Sequence, residues 1–585
     1  MKKGLALVLA IALVFALFAG CNSKEKPDVA TDPPTSGTDA PSQGTQAPQP
    51  TETEEPSPYN FAAGKYDVDE RGFPTAPYEY ELPLSTTDEV FTFWTTCWHM
   101  ELVPEDGFGY LPNRMQEQEL TGVNIEYEVV TQDVIMDQFA VRYAADDLCD
   151  ITIGGTFYST ATIDENIEEG FYVNLYDYME YMPNYIYQVT FDPADQDLYE
   201  RVFYKKDIIA TFYAIEDVAF IASNYLARGD WLDELGLDND DIITWDDVHN
   251  MLTLFKANYC EFPFPMFSSI DMAGTYAFTS YDTLPAISTT AVGPAYQING
   301  KVVFSHMNDT DREFMTMINQ WYSDGLIDPS WSSYGNNTAF QDKTYSGQVG
   351  YVYMSPGEVD GYEKGTINDP DCRWDPIHKP LKTPGQVVHV GGEKSRWFYG
   401  SAVVSTKCTN IPLVVTWLDW KYSPSGAFIC SYGPEGTLWE KDENGNPTAT
   451  EWALSAPMGV AFAWLCMTFG FNALAEPGLE VCNRKYIMPG GDRMLAIHYY
   501  WDDYNYDGAY KWPSGVKFTS DQTDEINITS NDIVTYISEN YSAFVDGSKP
   551  LSEWDAYVEQ LHSLGIDRIM EIYQEAYDTY IASIE

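Results

Sequence analysis

The chain has 585 residues, with 89 acidic against 32 basic side chains and a formal net charge of −57. That field repels phosphate backbones and anionic headgroups, so nucleic-acid and general membrane-surface binding are excluded. Yet 44% of the residues are hydrophobic and 15% aromatic, ample for a core and too many for an acidic disordered chain. The length exceeds what one core usually organises, so two lobes or domains are expected.

Lys2 and Lys3 precede an apolar stretch ending at Gly20, the pattern of a secretory signal peptide over 1–20. The segment Leu17-Phe18-Ala19-Gly20-Cys21 resembles a bacterial lipobox, with Cys21 the lipidated residue. A membrane contact through that lipid alone, on the outer face of the cytoplasmic membrane, is the expectation. Residues 21–58 are rich in Pro, Thr and Ser and form a disordered tether with a reach of roughly 35 Å. Eight further cysteines are scattered without a CxxC pair; they read as mostly buried thiols, with no thiolate zinc site.

The folded part is expected over 59–585. Glu89 to Thr95 reads EVFTFWT, an alternating strand, and 123–130 (VNIEYEVV) a second. A helical spacing over 133–145 leads to DITIGGTFYS (150–159), a strand broken at Gly154 and Gly155. Strand, helix, strand and glycine break is the rhythm of a parallel α/β sheet, whose ligands sit at the carboxyl ends of the strands. Gly236 ends a helix, and Thr244 with Asp247 caps the next, an amphipathic run to Ala257.

Arg228-Gly229-Asp230-Trp231-Leu232-Asp233-Glu234-Leu235-Gly236-Leu237, followed by Thr244-Trp245-Asp246-Asp247, resembles a signature of large extracellular solute-binding lipoproteins of bacterial ABC importers, the oligosaccharide and alginate-type binders. GKVVFS (300–305), Trp321 to Pro329, YSGQVGYVYM (345–354), the run 401–436 and the closing 551–580 are similar to that family in the same order. Gly229 departs from the basic residue usual there. The family's calcium loop is not carried over, because 257–263 lacks the carboxylates.

The resemblance implies an α/β, two-lobed periplasmic-binding-protein-like (type II) fold with discontinuous lobes and a hinge. Lobe 1 is expected over about 85–217 and 397–440, and lobe 2 over about 218–396 and 441–585. It also implies an oligosaccharide ligand, ABC permease subunits as partners, and a monomer.

Aromatic side chains suit sugars, since a pyranose offers a C–H face to the ring and hydroxyls to polar neighbours. By position, Trp94, Trp98, Thr156, Phe157, Tyr158, Trp397, Tyr399 and Trp501 are the candidates for ligand contact, with Phe267, Trp331 and Tyr353 behind them. Asp230 and Trp231 read as structural. Asp503, Asn505, Asp507 and Gly508 match the opening of a calcium loop, but Lys511 and Ser514 hold its ninth and twelfth positions. No cofactor is therefore expected, with calcium the alternative. Asp442 to Asn446 reads as a hairpin turn.

No HExxH, GxSxG, Walker or GxGxxG motif occurs, so the chain is expected not to be an enzyme. A peptide or other polar-solute receptor, and a surface glycan-binding lipoprotein without a permease, are the alternatives; a glycoside hydrolase or lyase stands last. Arg228, Lys394 and Arg396 are the basic residues an anionic ligand would need, and a neutral oligosaccharide is favoured.

Overall fold

The computed structural model describes residues 57–584 apart from 98–99, 267–276, 285–294, 335–336, 368, 392–393, 456–461, 464, 467–475, 489 and 503–504. The expected signal peptide, Cys21 and nearly all of the expected tether thus lie outside the described residues.

The opening pattern folds as read. Strand β1 (Val90–Thr96) lies parallel to β2 (Asn124–Val130) and to β3 (Ile151–Ile153), with a helix over Ile135–Ala144 between the second and third. Alternation in β1 sends Phe91 and Phe93 into the main core of this lobe. Trp94 points the other way, beneath Ile135 and Phe139 of that helix. Strand β4 (Phe212–Phe220) is followed at once by β5 (Asn224–Arg228), which begins a second sheet.

The second lobe carries a small hairpin, β6 (Ala295–Ile298) and β7 (Lys301–Phe304), and a three-stranded sheet in which β8 (Tyr351–Met354) and β9 (Trp374–Pro376) flank β5 antiparallel. Strand β10 (Ser395–Val404) returns to the first sheet between β3 and β4, antiparallel to both. Hairpin β11 (Trp439–Lys441) and β12 (Pro447–Ala449) follows, and β13 (Gly478–Glu480) adds a parallel edge to β4. The large sheet thus runs β13-β4-β10-β3-β1-β2. The turn 442–446 joins β11 to β12, and its Asp442 carboxylate accepts from the Asn444 and Asn446 amides.

Two separate apolar cores result. One gathers Phe91, Ile151, Phe212, Val404 and Trp417 around the large sheet; the other gathers Tyr225, Trp245, Phe314, Tyr351 and Tyr541 around the small one. Thr244 caps the helix Trp245–Asn258 through a reciprocal capping box with Asp247, and Gly236 closes the preceding helix in the left-handed region. The final helices, Ser520–Asp546, Trp554–Ser563 and Ile566–Ile584, complete the second core.

The chain passes between the cores near 216–224, 378–401 and 480–495. The third passage falls later than the expected boundary at 441. Leu438, Trp439, Ala453 and Leu465 pack with Phe108 and Leu111 of the first lobe, and β13 still belongs to its sheet. At the other end, Ala62, Tyr80 and Leu84 already join the first core, ahead of the expected start at 85.

Candidate functional site

Strands β1, β3, β4 and β13 all run the same way, so their carboxyl ends share one edge of the large sheet. The first and third passages leave from that edge, which places it against the second lobe. In open α/β sheets this is where ligands bind.

At the end of β1, Thr95 and Thr96 are buried, and their hydroxyls make no hydrogen bond among the described residues. After β3 the chain turns through Gly154, whose φ of 73° is left-handed. The Gly154 amide donates to the Ser401 carbonyl over 2.7 Å. At Gly155 a Cβ would come within 2.5 Å of Val403 Cγ2, so only glycine lets the loop lie on β10. The turn sets the Thr156 hydroxyl 2.8 Å from that of Ser401 and leaves Phe157 46% exposed.

The ends of β4 and β13 carry buried charge. Lys485 Nζ donates to Glu216 over 2.8 Å and lies 3.3 Å from Glu480, and Arg484 pairs with Glu480 at 2.6 Å. Burial pushes the Glu216 carboxyl up, whereas Glu480, buried as well, is held below its usual range by Arg484 and Lys485. Beside them His498, from the helix Gly491–Trp501, stacks on Phe220 at 4.6 Å and donates through Nδ1 to the Ile221 carbonyl over 3.1 Å. Burial, reinforced by Lys485, lowers its pKa to about 4. Phe220, Cys482 and Leu495, one from each connecting strand or helix, form a small apolar cluster at this joint.

The sequence candidates scatter. Thr156 and Phe157 stand at the β3 turn, and Tyr158 packs edge-on to Trp94. Trp94, Tyr353 and Trp501 are corrections: each is buried to 3% exposure or less and offers no ring face to a ligand. Trp94 is closed under Phe139 and Tyr158, Tyr353 lies against Tyr225, and Trp501 sits among Ile497, Trp374 and Leu226. Trp397 is half-buried with the Arg201 guanidinium 4.2 Å over one face and Tyr213 at its edge. Trp331 packs against the second core. Trp98 and Phe267 lie outside the described residues, as does the side chain of Tyr399.

Sequence reading missed two exposed tyrosines at the same edge. Tyr486 (46% exposed) stands in the turn after β13, and Tyr499 (49% exposed) on the outer face of the helix Gly491–Trp501, edge-on to Phe220 at 5.7 Å. Only the aromatic run HYYW drew attention to this stretch, read as a loop; nothing local marked Tyr486.

The calcium alternative lies partly outside the described residues. Asp503 lies outside the described residues, Asp507 spends its carboxylate on His389 Nδ1 (2.9 Å) and on the Ala509 amide, and the Asn505 carbonyl accepts from Val388. Among the described residues one other donor group is compact enough for a metal, Glu216, Glu480 and Cys482, and the Lys485 ammonium already provides its positive charge.

Two α/β lobes joined by three passages, with parallel strands ending between them, make this the two-lobed periplasmic-binding fold of solute-binding proteins. No protein-family model matches the chain. It is 23% identical over 397 residues to the fructooligosaccharide ABC transporter substrate-binding protein FusA of Streptococcus pneumoniae, covering 64% of this chain and 67% of that protein. Its fold matches an HMO-binding, ABC-transporter-associated solute-binding protein from Bifidobacterium longum infantis with a TM-score of 0.64 at 16% identity, over 84% of this chain and 99% of the other. The match to the alginate-binding protein AlgQ2, solved without calcium ion, has a TM-score of 0.56 at 20% identity over 84% and 99%.

Proposed function

We propose that the chain is an extracellular solute-binding receptor that captures an oligosaccharide between its lobes and delivers it to the permease of an ABC importer. The observation that carries this is the edge shared by the ends of β1, β3, β4 and β13, set at the joint of two independent cores. Similarity to FusA and to the milk-oligosaccharide binder supports a sugar as the solute.

Closure on ligand is a hinge motion, and its driving force is the difference in affinity between closed and open forms. The joint suits it: three passages link two separately packed cores, so rotation can fall on the passages while each core stays packed. The half-buried Thr156 hydroxyl, backed by that of Ser401, supplies a polar partner, and Phe157 an exposed ring. Binding, not bond-making, is the activity in this reading. Cys21 is its lipid anchor, and no helix among the described residues is long and apolar enough to cross a membrane.

Thermal melting of the protein with neutral oligosaccharides, peptides and calcium tests the reading. A ligand confined to the native state adds roughly 2.7 kcal/mol at a hundredfold excess over its Kd. A rise with a glycan and no hydrolysis products is the expected result. A rise with peptides alone would replace the sugar with an oligopeptide.

A further inference from the structure

The charges around the strand ends bear on which sugars fit, taking the receptor reading above as the starting point. Sugars divide into neutral ones and those bearing uronate carboxylates, and a uronate site needs cations free to meet them.

Among the described residues, the cations nearest these strand ends are already engaged, and Lys379 of the second passage is buried, which lowers its pKa to about 7. Lys394 pairs with Asp502 at 3.0 Å. Arg396 is buried and donates to the Glu216 carbonyl, to the Gln188 carbonyl and to Gln188 Oε1, with Asp195 at 3.6 Å. Arg484 and Lys485 are held by Glu480 and Glu216. Arg493 faces away, onto Asp375 at 2.9 Å and Glu363 at 3.3 Å. Arg228, the remaining basic candidate, is 1% exposed and bound by Asp230 and Asp369. The exposed charge at the end of β4 is instead a carboxylate, Asp217, whose Oδ1 accepts from the Cys482 amide over 2.9 Å. An arriving uronate would meet that carboxylate, or would have to break a buried pair, which costs more than it returns.

The same edge exposes Tyr486 and Tyr499. Tyr499 packs edge-to-face with Phe220 at 5.7 Å. A ring braced by a neighbour, as Tyr499 is by Phe220, loses little freedom on binding, and each tyrosine offers a face for sugar C–H groups with a hydroxyl at its rim. We propose that Tyr486 and Tyr499 form the stacking platform of the glycan site, and that the site takes neutral oligosaccharides and rejects uronate-bearing ones.

Titration calorimetry of the full chain against kestose, a neutral milk tetrasaccharide and a mannuronate trisaccharide tests this. A neutral probe should bind, with the mannuronate at least about a hundredfold weaker. Tyr486→Ala and Tyr499→Ala should each weaken the neutral probe about tenfold at unchanged melting temperature. Tyr486→Phe and Tyr499→Phe keep the ring face and should stay within about threefold. Mannuronate binding as tight as the neutral probe would overturn the selectivity, and alanine variants at wild-type affinity would overturn the platform. If all three sugars fail while a peptide raises the melting temperature, the sugar-receptor reading itself falls, and the proposal with it.

Discussion

Two buried clusters of two acids and two bases lie in this protein, one deep inside the first lobe and one at its joint with the second. In the first, Arg114 pairs with Glu117 (3.0 Å) and Glu476 (2.6 Å), while Lys421 reaches Glu117 at 2.6 Å. All four side chains are essentially closed to solvent, and they tie the helix Pro112–Thr121 to the end of the helix Ile411–Trp420 and to the segment before β13. The joint cluster of Glu216, Glu480, Arg484 and Lys485 has the same composition but opens slightly to solvent at Lys485. It also neighbours an imidazole. The first cluster is sealed from solvent, whereas the second borders a group, His498, whose pKa burial has lowered to about 4.

The largest effect is expected inside the first lobe. Lys421→Met leaves Glu117 and Glu476 sharing one arginine, a net negative charge with no water to screen it. Removing one partner from such a pair costs about 3–5 kcal/mol, to be read from urea unfolding. A loss under about 1 kcal/mol would mean that the network relaxes or hydrates.

Lys485→Met at the joint should cost less, about 2–3 kcal/mol, because Arg484 still neutralises Glu480 and burial already favours a protonated Glu216. Equal losses in the two variants would erase the distinction between the clusters.

Acid separates them further. His498 is neutral in the fold down to about pH 4 but charges near 6.5 when unfolded. The unfolded chain therefore binds the extra proton as pH falls from 6.5 towards 4, and stability drops across that window. About 2 kcal/mol should be lost by pH 4.5. Glu117 works in the same sense but in a more acid window, since Lys421 and Arg114 hold its carboxyl below its ordinary value. Its contribution is complete above that value and is lost only in stronger acid. His498→Gln, which keeps a donor for the Ile221 carbonyl, should flatten the pH 6.5–4.5 slope of the melting temperature and leave the drop below pH 4 in place. An unchanged slope would assign the acid sensitivity elsewhere.

The same contrast explains what could be read beforehand. Strands β1 to β3, their glycine turn and the capped helix at Trp245 were legible because alternation, spacing and caps are local. Trp94 was misplaced because a parallel sheet covered on both faces buries both sets of an alternating strand. His498-Tyr499-Tyr500-Trp501 reads as part of a polar aromatic loop, whereas it ends a helix whose successive residues point all round the axis, so only packing decides that Trp501 turns inward and Tyr499 outward. The late passage near 480 carries no local mark, since it depends on β13 finding β4 more than 250 residues away along the chain. Both charge clusters are likewise invisible in a sequence with 89 acids, because their partners meet only through the fold.

The smallest effect is expected where charges are as numerous but wet. Arg568 on the last helix pairs with Glu525 at 2.7 Å and has Glu571 and Glu575 within 3.6 Å, all well exposed. By count of ionic contacts it matches the buried clusters. In water, however, attraction is weakened by the high dielectric and by salt, and ordering long side chains offsets the rest. Arg568→Ala should leave the melting temperature at physiological salt within measurement error, with any shift appearing only at low ionic strength. A loss comparable to that of Lys485→Met, persisting in high salt, would show that contact number and not burial ranks these clusters, and the contrast between the inner and joint sites would lose its physical basis.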